Sequence, residues 1–256
     1  MDNRPIGFFD SGVGGVTTIP HIMRMLPNES IIFFGDTART PYGSKSAKTI
    51  RQFTLQIGEF LKNNDVKMIV IACNTVSSTA LELLRETYPD IPIVGCITPT
   101  AKEVVKICDK DSRIGIMATK ATVKSGVYED KIKSLNEELF IKSIACPALV
   151  PLIEEGIIDN EIMDLTLKYY LDDFIRENDI NTLILGCTHY PLISKNLKRL
   201  YPNIKIFSSS KEVATAVKME LEAADMLSQN ENAKSIFYAS DLSENFVNMI
   251  ERILGR

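Results

Sequence analysis

Short apolar runs alternate with longer amphipathic stretches along the whole of this 256-residue chain. The runs are apolar almost throughout, which is typical of strands buried on both faces of a parallel sheet, and the stretches between them have the length of helices. This alternation predicts an α/β fold with mostly parallel sheets covered by helices. The predicted strands are Ile6–Phe9, Ser30–Gly35, Met68–Ala72, Ile91–Gly95, Arg113–Met117, Leu139–Ala145, Thr182–Leu185, Ile204–Ile206 and Ser235–Tyr238. The predicted helices are Val16–Met25, Ser46–Asn63, Thr75–Tyr88, Thr100–Ile107, Thr122–Leu135, Asn160–Asn178, Leu192–Leu200, Lys211–Met226 and Leu242–Leu254.

Two pairs of similar segments indicate an internal repeat. The run that ends at Asp10 resembles the run that ends at Ala118, and the run before Cys73 resembles the run before Cys187. Asp10 precedes Cys73 by 63 residues, and Thr119 precedes Cys187 by 68. Because strands of parallel sheets look alike, coincidence is the alternative explanation of the first pair.

The repeat predicts two pseudosymmetric, doubly wound half-domains with the active site in the cleft between them. The chain would cross to the second half after Cys96 and return near Ser208. The predicted halves are residues 1–96 plus 209–256, and residues 97–208.

Composition excludes several classes of partner and site. The net charge is −4 and the basic residues are scattered, which argues against nucleic acid. The N-terminus lacks the apolar core of a signal peptide and no apolar run is long enough for a bilayer, so we expect a cytoplasmic protein with no membrane partner. Five cysteines and two histidines, without CxxC or HExxH motifs, predict neither a disulfide framework nor a metal site.

Two of the cysteines stand where predicted strands end. Cys73 follows the run that begins at Met68, and Cys187 follows the run that begins at Thr182. Ligands of open α/β sheets bind outside the carboxyl ends of the strands. The two thiols therefore predict one pocket with a sulfur on each side, where a proton is removed from one face of a small molecule and returned to the other.

Polar neighbours strengthen this interpretation. Asn74 and Thr75 are expected to cap the next helix, whose N-terminus would lower the pKa of the Cys73 thiol below its reference of about 8.5. Cys73 as a packing residue is the alternative. His189, two residues after Cys187, is placed to hydrogen-bond that sulfur or to act as its base.

Two turns complete the predicted pocket. Asp10-Ser-Gly-Val-Gly-Gly15 begins like a dinucleotide fingerprint, but no third glycine stands at the required position, and its aspartate would repel a pyrophosphate. A turn that holds Asp10 and Ser11 over a small ligand fits better, with a helix-capping aspartate as the alternative. Thr37–Gly43 would place Tyr42 at one side of the pocket, or would form a plain loop.

Taken together, these motifs resemble those of the bacterial glutamate racemases, which work without a cofactor. The resemblance spans nearly the whole chain in the order and spacing of that family. The matching stretches are Asp10–Gly15, Gly35–Arg39 with Pro41–Gly43, Ala72–Thr75, Ala118–Thr122, Val150–Gly156 and Leu185–Pro191.

The resemblance implies a role for each matching residue. Cys73 would exchange the α-proton of D-glutamate and Cys187 that of L-glutamate, with Asp10 assisting Cys73 and His189 assisting Cys187. Glu154 would have a supporting role beside the pocket. The residues expected to hold the substrate are Asp10, Ser11, Pro41, Tyr42, Gly43, Asn74, Thr75, Thr119, Thr122, Glu154, Thr188 and His189.

The same resemblance implies a homodimer that supplies D-glutamate for peptidoglycan, with the free amino acid as its small-molecule partner. The chain departs from the family pattern at Ser208, where an acidic residue is usual, and at Ala148, where leucine is common. Three alternatives remain open: a racemase of aspartate or another amino acid, a non-catalytic amino-acid-binding protein, and a thiol redox protein that forms a Cys73–Cys187 disulfide.

Overall fold

Two parallel sheets form the centre of the protein. The structure is a computed structural model that describes residues 1–255, apart from the side chain of Asn245. The strands are β1 Ile6–Asp10, β2 Ile31–Gly35, β3 Met68–Ile71, β4 Ile93–Gly95, β5 Arg113–Ala118, β6 Phe140–Ala145, β7 Thr182–Gly186, β8 Lys205–Ser208 and β9 Ser235–Ala239. All paired strands run parallel. Each predicted strand is present, with bounds that differ by no more than a few residues.

The order of the strands confirms the α/β fold and shows the internal symmetry. The first sheet has the order β4-β3-β1-β2-β9, and the second has the order β6-β5-β7-β8. Read from the opposite edge, the second sheet is β8-β7-β5-β6, so β5 to β8 repeat the arrangement of β1 to β4. The sheets divide the strands as the predicted half-domains require, while the boundaries after Cys96 and Ser208 stay predictions.

Helices connect the strands and cover the sheets. Several begin at a polar residue that accepts a backbone N–H, as Asn160 does from Met163 at 3.0 Å. The helices are α1 Ile19–Met25, α2 Ala47–Asn63, α3 Asn74–Thr79, α4 Leu81–Thr87, α5 Ile97–Ile107, α6 Lys120–Ser125, α7 Val127–Leu135, α8 Leu149–Glu154, α9 Glu161–Asn178, α10 Ser194–Leu200, α11 Ser209–Ala223 and α12 Glu244–Leu254. None of the helices in residues 1–255 is long and apolar enough to cross a membrane.

Some predicted helices are broken in the structure. The stretch predicted as Thr75–Tyr88 forms α3 and α4, which are separated by Ala80 in a non-helical conformation. The stretch predicted as Thr122–Leu135 is interrupted by Gly126, whose φ of 68° lies in the left-handed region. Helix α8 was not predicted, because its six residues are too few to show a helical period.

A buried ion pair beside the first sheet joins two segments that are distant in the sequence. Nζ of Lys67 lies 2.6 Å from Oε2 of Glu29, and both side chains are almost completely buried. The same ammonium donates to the carbonyls of Asp2 and Met226, each at 2.7 Å. Glu29 also accepts the backbone N–H of Ser228 at 2.8 Å. The pair therefore joins the N-terminal segment to the connection between α11 and β9.

Replacement of Lys67 by methionine tests this pair. Lys67→Met leaves the Glu29 carboxylate buried without its cation, and we expect the free energy of unfolding to fall by about 3–5 kcal/mol. Urea denaturation followed by circular dichroism measures the change. The matched control is Arg176→Met, because Arg176 pairs with Asp173 on the surface and its loss should change stability little. Equal effects of the two substitutions would contradict the role of the buried pair.

Candidate active site

The carboxyl ends of strands from both sheets meet at one small cavity. Cys73 follows β3 of the first sheet, Cys187 follows β7 of the second, and both line this cavity. The cavity has a volume of about 10 Å³, which is room for about one water molecule. Its lining residues are Ser11, Pro41, Tyr42, Gly43, Cys73, Asn74, Thr75, Thr119, Val150, Cys187, Thr188 and His189.

The Cys73 thiol is buried, and its environment differs from the prediction. Cys73 itself is the N-cap residue of α3, which begins at Asn74, and its Sγ lies 3.3 Å from Oγ of Ser11. Burial raises the pKa of the Cys73 thiol and the charge of Asp10 raises it further, whereas hydrogen bonds with Ser11 and with the Val76 N–H lower it. The predicted lowering of the pKa was wrong, because burial outweighs the N-terminus of a six-residue helix.

Asp10 is fully buried at the end of β1 and is held by hydrogen bonds. Its Oδ1 accepts the Gly12 N–H at 3.1 Å, and its Oδ2 accepts the Thr188 hydroxyl at 3.0 Å. Burial raises the pKa of this carboxyl, while the charge of His189 opposes the rise. Within the described residues no direct hydrogen bond joins Asp10 to Cys73, so its assistance to that thiol stays a prediction.

His189 links Cys187 to a carboxylate. Its Nδ1 lies 3.7 Å from Sγ of Cys187, and its Nε2 lies 2.9 Å from Oε1 of Glu154 on α8. Burial alone would lower the pKa of His189, but hydrogen bonds to Cys187 and Glu154 reverse this and raise it well above its ordinary value. Gly14 permits the arrangement, because a Cβ at this position would lie 2.6 Å from Nδ1 of His189.

Three threonine hydroxyls meet beside the cavity, where the two sheets approach each other. Oγ1 of Thr75 lies 2.9 Å from that of Thr119 and 3.2 Å from that of Thr122, and the last two are 3.0 Å apart. Thr119 follows β5 and accepts the Thr122 N–H as the N-cap of α6. Gly43 packs closely against this cluster, since a Cβ there would lie 2.4 Å from Cβ of Thr119. The cluster offers several hydroxyl donors to a carboxylate.

The Thr37–Gly43 segment is part of the cavity wall and not a plain loop. Tyr42 is 1% exposed, and its hydroxyl donates to Asp36. Burial, and then this hydrogen bond, raise the pKa of the Tyr42 phenol. Asp36 also pairs with Arg39, whose Nε lies 2.7 Å from Oδ2. The network fixes the ring that closes one side of the cavity.

The structure brings all the predicted site residues together. Asp10, Thr122 and Glu154 do not line the cavity, but each hydrogen-bonds a residue that does. Val150 lines the cavity and was missed, although it lies one helical turn before Glu154 on α8. Asp36 was missed as the partner of Tyr42, because nothing in its sequence position points to the phenol.

The departures from the family pattern lie outside the cavity. Ser208 is the N-cap of α11, where its hydroxyl accepts the Ser210 N–H at 3.4 Å. A serine can therefore fill the capping position in which an acidic residue is usual. Ala148 precedes α8 and does not line the cavity. Residues 1–255 contain no group of three or more His, Cys, Asp or Glu side chains arranged to hold a metal ion.

In sequence and fold the chain resembles proteins of one racemase family. The family model described as Asp/Glu/Hydantoin racemase matches residues 16–217. A glutamate racemase of Sulfurihydrogenibium sp. is 44% identical over 98% of this chain and 94% of its own length. A glutamate racemase of Geobacter metallireducens is 41% identical over 100% of this chain and 94% of its own length. The crystal structure of a Francisella tularensis glutamate racemase in complex with D-glutamate is 37% identical and has a TM-score of 0.93, over 100% of this chain and 95% of that one.

The chain belongs to the Asp/Glu/hydantoin racemase family and is an isomerase. Within that family its full-length similarity is to proteins named glutamate racemases, which confirms the resemblance predicted from the motifs.

Replacement of Glu154 by glutamine tests the electrostatics of His189. Glu154→Gln removes a carboxylate that stabilises the imidazolium, so we expect the pKa of His189 to fall. NMR titration of the imidazole signals measures it directly, because the chain contains only two histidines. The matched control is Glu155→Gln at the exposed neighbouring position, which should leave the titration unchanged. An unaltered His189 pKa in Glu154→Gln would show that the carboxylate has no such effect.

Proposed function

We propose that this chain is a glutamate racemase that interconverts L- and D-glutamate by moving the α-proton between two thiols. The observation that carries the proposal is the presence of Cys73 and Cys187 in one cavity, each delivered by a different sheet. The glutamate racemases among its relatives, one of them crystallised with D-glutamate, support glutamate as the substrate.

Each turnover breaks one C–H bond and forms another on the opposite face of the α-carbon. One sulfur, as thiolate, takes the α-proton and becomes a thiol, while the electron pair stays on the carbon and its carboxylate. The other sulfur, as thiol, gives its proton to the opposite face and becomes a thiolate. By the family pattern, Cys73 removes the proton of D-glutamate and Cys187 that of L-glutamate.

Neighbouring acidic and basic side chains influence whether each sulfur is protonated. We propose that His189 takes the proton of Cys187, which the Glu154 carboxylate favours by stabilising the imidazolium. On the other side, burial and the charge of Asp10 favour the protonated form of Cys73. This polarisation suits a thiolate at Cys187 and a thiol donor at Cys73. The reverse direction requires a proton to leave Cys73, and Asp10 is the proposed acceptor because its own pKa is raised by burial.

The main difficulty of the reaction is the weak acidity of a proton next to a carboxylate. Without an electron sink, hydrogen-bond donors to that carboxylate must stabilise the carbanion. The hydroxyls of Thr75, Thr119 and Thr122 are the proposed donors, and each preorganised donor contributes on the order of 3 kcal/mol. The residues proposed to hold the substrate are Asp10, Ser11, Pro41, Tyr42, Gly43, Asn74, Thr75, Thr119, Thr122, Glu154, Thr188 and His189.

A space of about 10 Å³ is too small for an amino acid, so the walls must separate to admit one. The contacts that would open join residues carried by different sheets: Thr75 to Thr119, Asp10 to Thr188, and Thr40 to Glu154 at 3.0 Å. We propose a hinge motion of the two halves that opens the cleft for exchange and closes it for chemistry. The family resemblance further supports a cytoplasmic homodimer that needs no cofactor and supplies D-glutamate for peptidoglycan.

Solvent deuterium incorporation tests the two-thiol mechanism. In heavy water the wild-type chain should place deuterium at the α-carbon of each glutamate enantiomer as it racemises. Cys73→Ser and Cys187→Ser should each slow racemisation by at least about 10²- to 10⁴-fold, because a hydroxyl is a far weaker acid than a thiol. Circular dichroism of the amino acid follows inversion, and NMR follows the loss of the α-proton signal.

The matched control is Cys108→Ser, since Cys108 is half-buried and does not line the cavity, and it should keep wild-type activity. Full activity in either site variant would exclude the two-thiol mechanism. Equal turnover of aspartate would exclude the glutamate assignment. Binding of glutamate without deuterium exchange would indicate a non-catalytic binding protein, and a Cys73–Cys187 disulfide without exchange would indicate a redox protein.

A further inference from the structure

One donor at the cavity lacks a partner. Asn74 is 1% exposed and lines the cavity as the first residue of α3. Its Nδ2 is buried and hydrogen-bonds no other described residue. Buried polar groups are almost always paired in native proteins, because an unpaired group loses its hydration without compensation. A donor left open at a binding cavity therefore points to a ligand that accepts hydrogen bonds.

The other end of the same amide is occupied. Oδ1 of Asn74 lies 2.6 Å from the hydroxyl of Tyr128, which donates to it. Tyr128 is 2% exposed and belongs to α7, which follows β5 of the second sheet, whereas Asn74 follows β3 of the first. Burial raises the pKa of the Tyr128 phenol, so its hydroxyl keeps the proton that it donates. Tyr128 itself does not line the cavity.

The orientation of the amide decides what the cavity offers to a carboxylate. One edge of a carboxamide accepts hydrogen bonds and the other donates them. With Oδ1 held by a hydroxyl, Nδ2 is the edge left for the ligand, and it attracts a carboxylate. The flipped amide would present Oδ1, which repels one. A neighbour that holds Oδ1 thus controls whether Asn74 helps or hinders binding.

We propose that Tyr128 is a positioning residue, whose hydroxyl holds Oδ1 of Asn74 so that Nδ2 donates to a carboxylate of the amino-acid substrate. The inference rests on the proposed racemase function and adds a residue that acts through Asn74 across the cleft. It also makes full assembly of the binding site depend on the approach of α7 to α3.

Tyr128→Phe tests the proposal, since it removes the hydroxyl and keeps the ring. We expect kcat/KM for glutamate to fall about tenfold, the size of one hydrogen bond to a charged group. The loss should appear as a higher KM with kcat within about twofold of wild type, because the carboxylate is present both in the bound substrate and in the transition state. Because L- and D-glutamate are equally stable, any variant must change kcat/KM by the same factor in both directions of the reaction. The ratio therefore cannot show which step is affected, and KM and kcat are measured separately for each enantiomer.

The matched control is Tyr201→Phe. Its hydroxyl donates to Asp172 at 2.7 Å, and Tyr201 does not line the cavity, so kcat and KM should not change. A double-mutant cycle with Asn74→Ala then shows whether Tyr128 acts through the amide. In the Asn74→Ala background, Tyr128→Phe should have no further effect on KM.

Three results would each overturn the positioning role. They are a rise of KM by the same factor when Tyr128→Phe is made in wild type and in Asn74→Ala, a Tyr128→Phe variant in which kcat alone falls, and one in which KM is unchanged. Should Tyr128→Phe fail to fold, Asn74→Asp is informative alone. It replaces the donor by an acceptor and should raise KM at least about tenfold, whereas an unchanged KM would overturn the proposal. If the wild-type chain does not racemise glutamate, the proposed function and this inference are both overturned. If the wild type is active but the effects of Tyr128→Phe and Asn74→Ala on KM are additive, only the inference is overturned.

Discussion

Parallel strands end together at one edge of a sheet, and in this protein two such edges face each other. Everything at the site depends on this constraint. The strand order β4-β3-β1-β2 is repeated as β8-β7-β5-β6, so Asp10 and Cys73 leave neighbouring strands of the first sheet as Thr119 and Cys187 leave neighbouring strands of the second. The internal repeat thus becomes a pair of facing walls, and each wall contributes one thiol. A single sheet would present its polar residues to one face of a ligand only.

Burial prevails over hydrogen bonding on one wall of the site and yields to it on the other. The Cys73 thiol lies at the start of a helix, yet its pKa is raised because little solvent reaches the sulfur and the charge of Asp10 is close. On the opposite wall, hydrogen bonds to Cys187 and Glu154 overcome the effect of burial on His189. The two walls have the same backbone arrangement but carry different ionisable side chains beside their cysteines. In the proposed mechanism that difference makes the resting states of the two sulfurs unequal, whereas the bound enantiomer sets the direction of proton transfer.

Much of this arrangement was predictable from the sequence, because strand runs, turn residues and strand-end polar residues are local signals. The two cysteines, Asp10 and His189 were identified in this way, and the family motifs supplied the threonines. Contacts between distant segments were not predictable. Tyr128 meets Asn74 across 54 positions of sequence. The contact of Tyr42 with Asp36 spans only six positions, but it depends on how the turn between them folds, which the sequence pattern did not specify. The pKa of Cys73 was misjudged for the same reason, since the depth of burial is a property of the assembled fold.

The mutual hydrogen bonds of Thr75, Thr119 and Thr122 have a consequence for the energetics of ligand exchange. A hydroxyl both donates and accepts, so each member of the trio can trade a neighbouring hydroxyl for a carboxylate oxygen by rotating one bond. The hydroxyls then have hydrogen-bond partners both when a ligand is bound and when the cavity is empty. In the proposed mechanism the three hydroxyls join the two walls while the site is empty and exchange these hydrogen bonds for bonds to an incoming carboxylate at little cost in free energy.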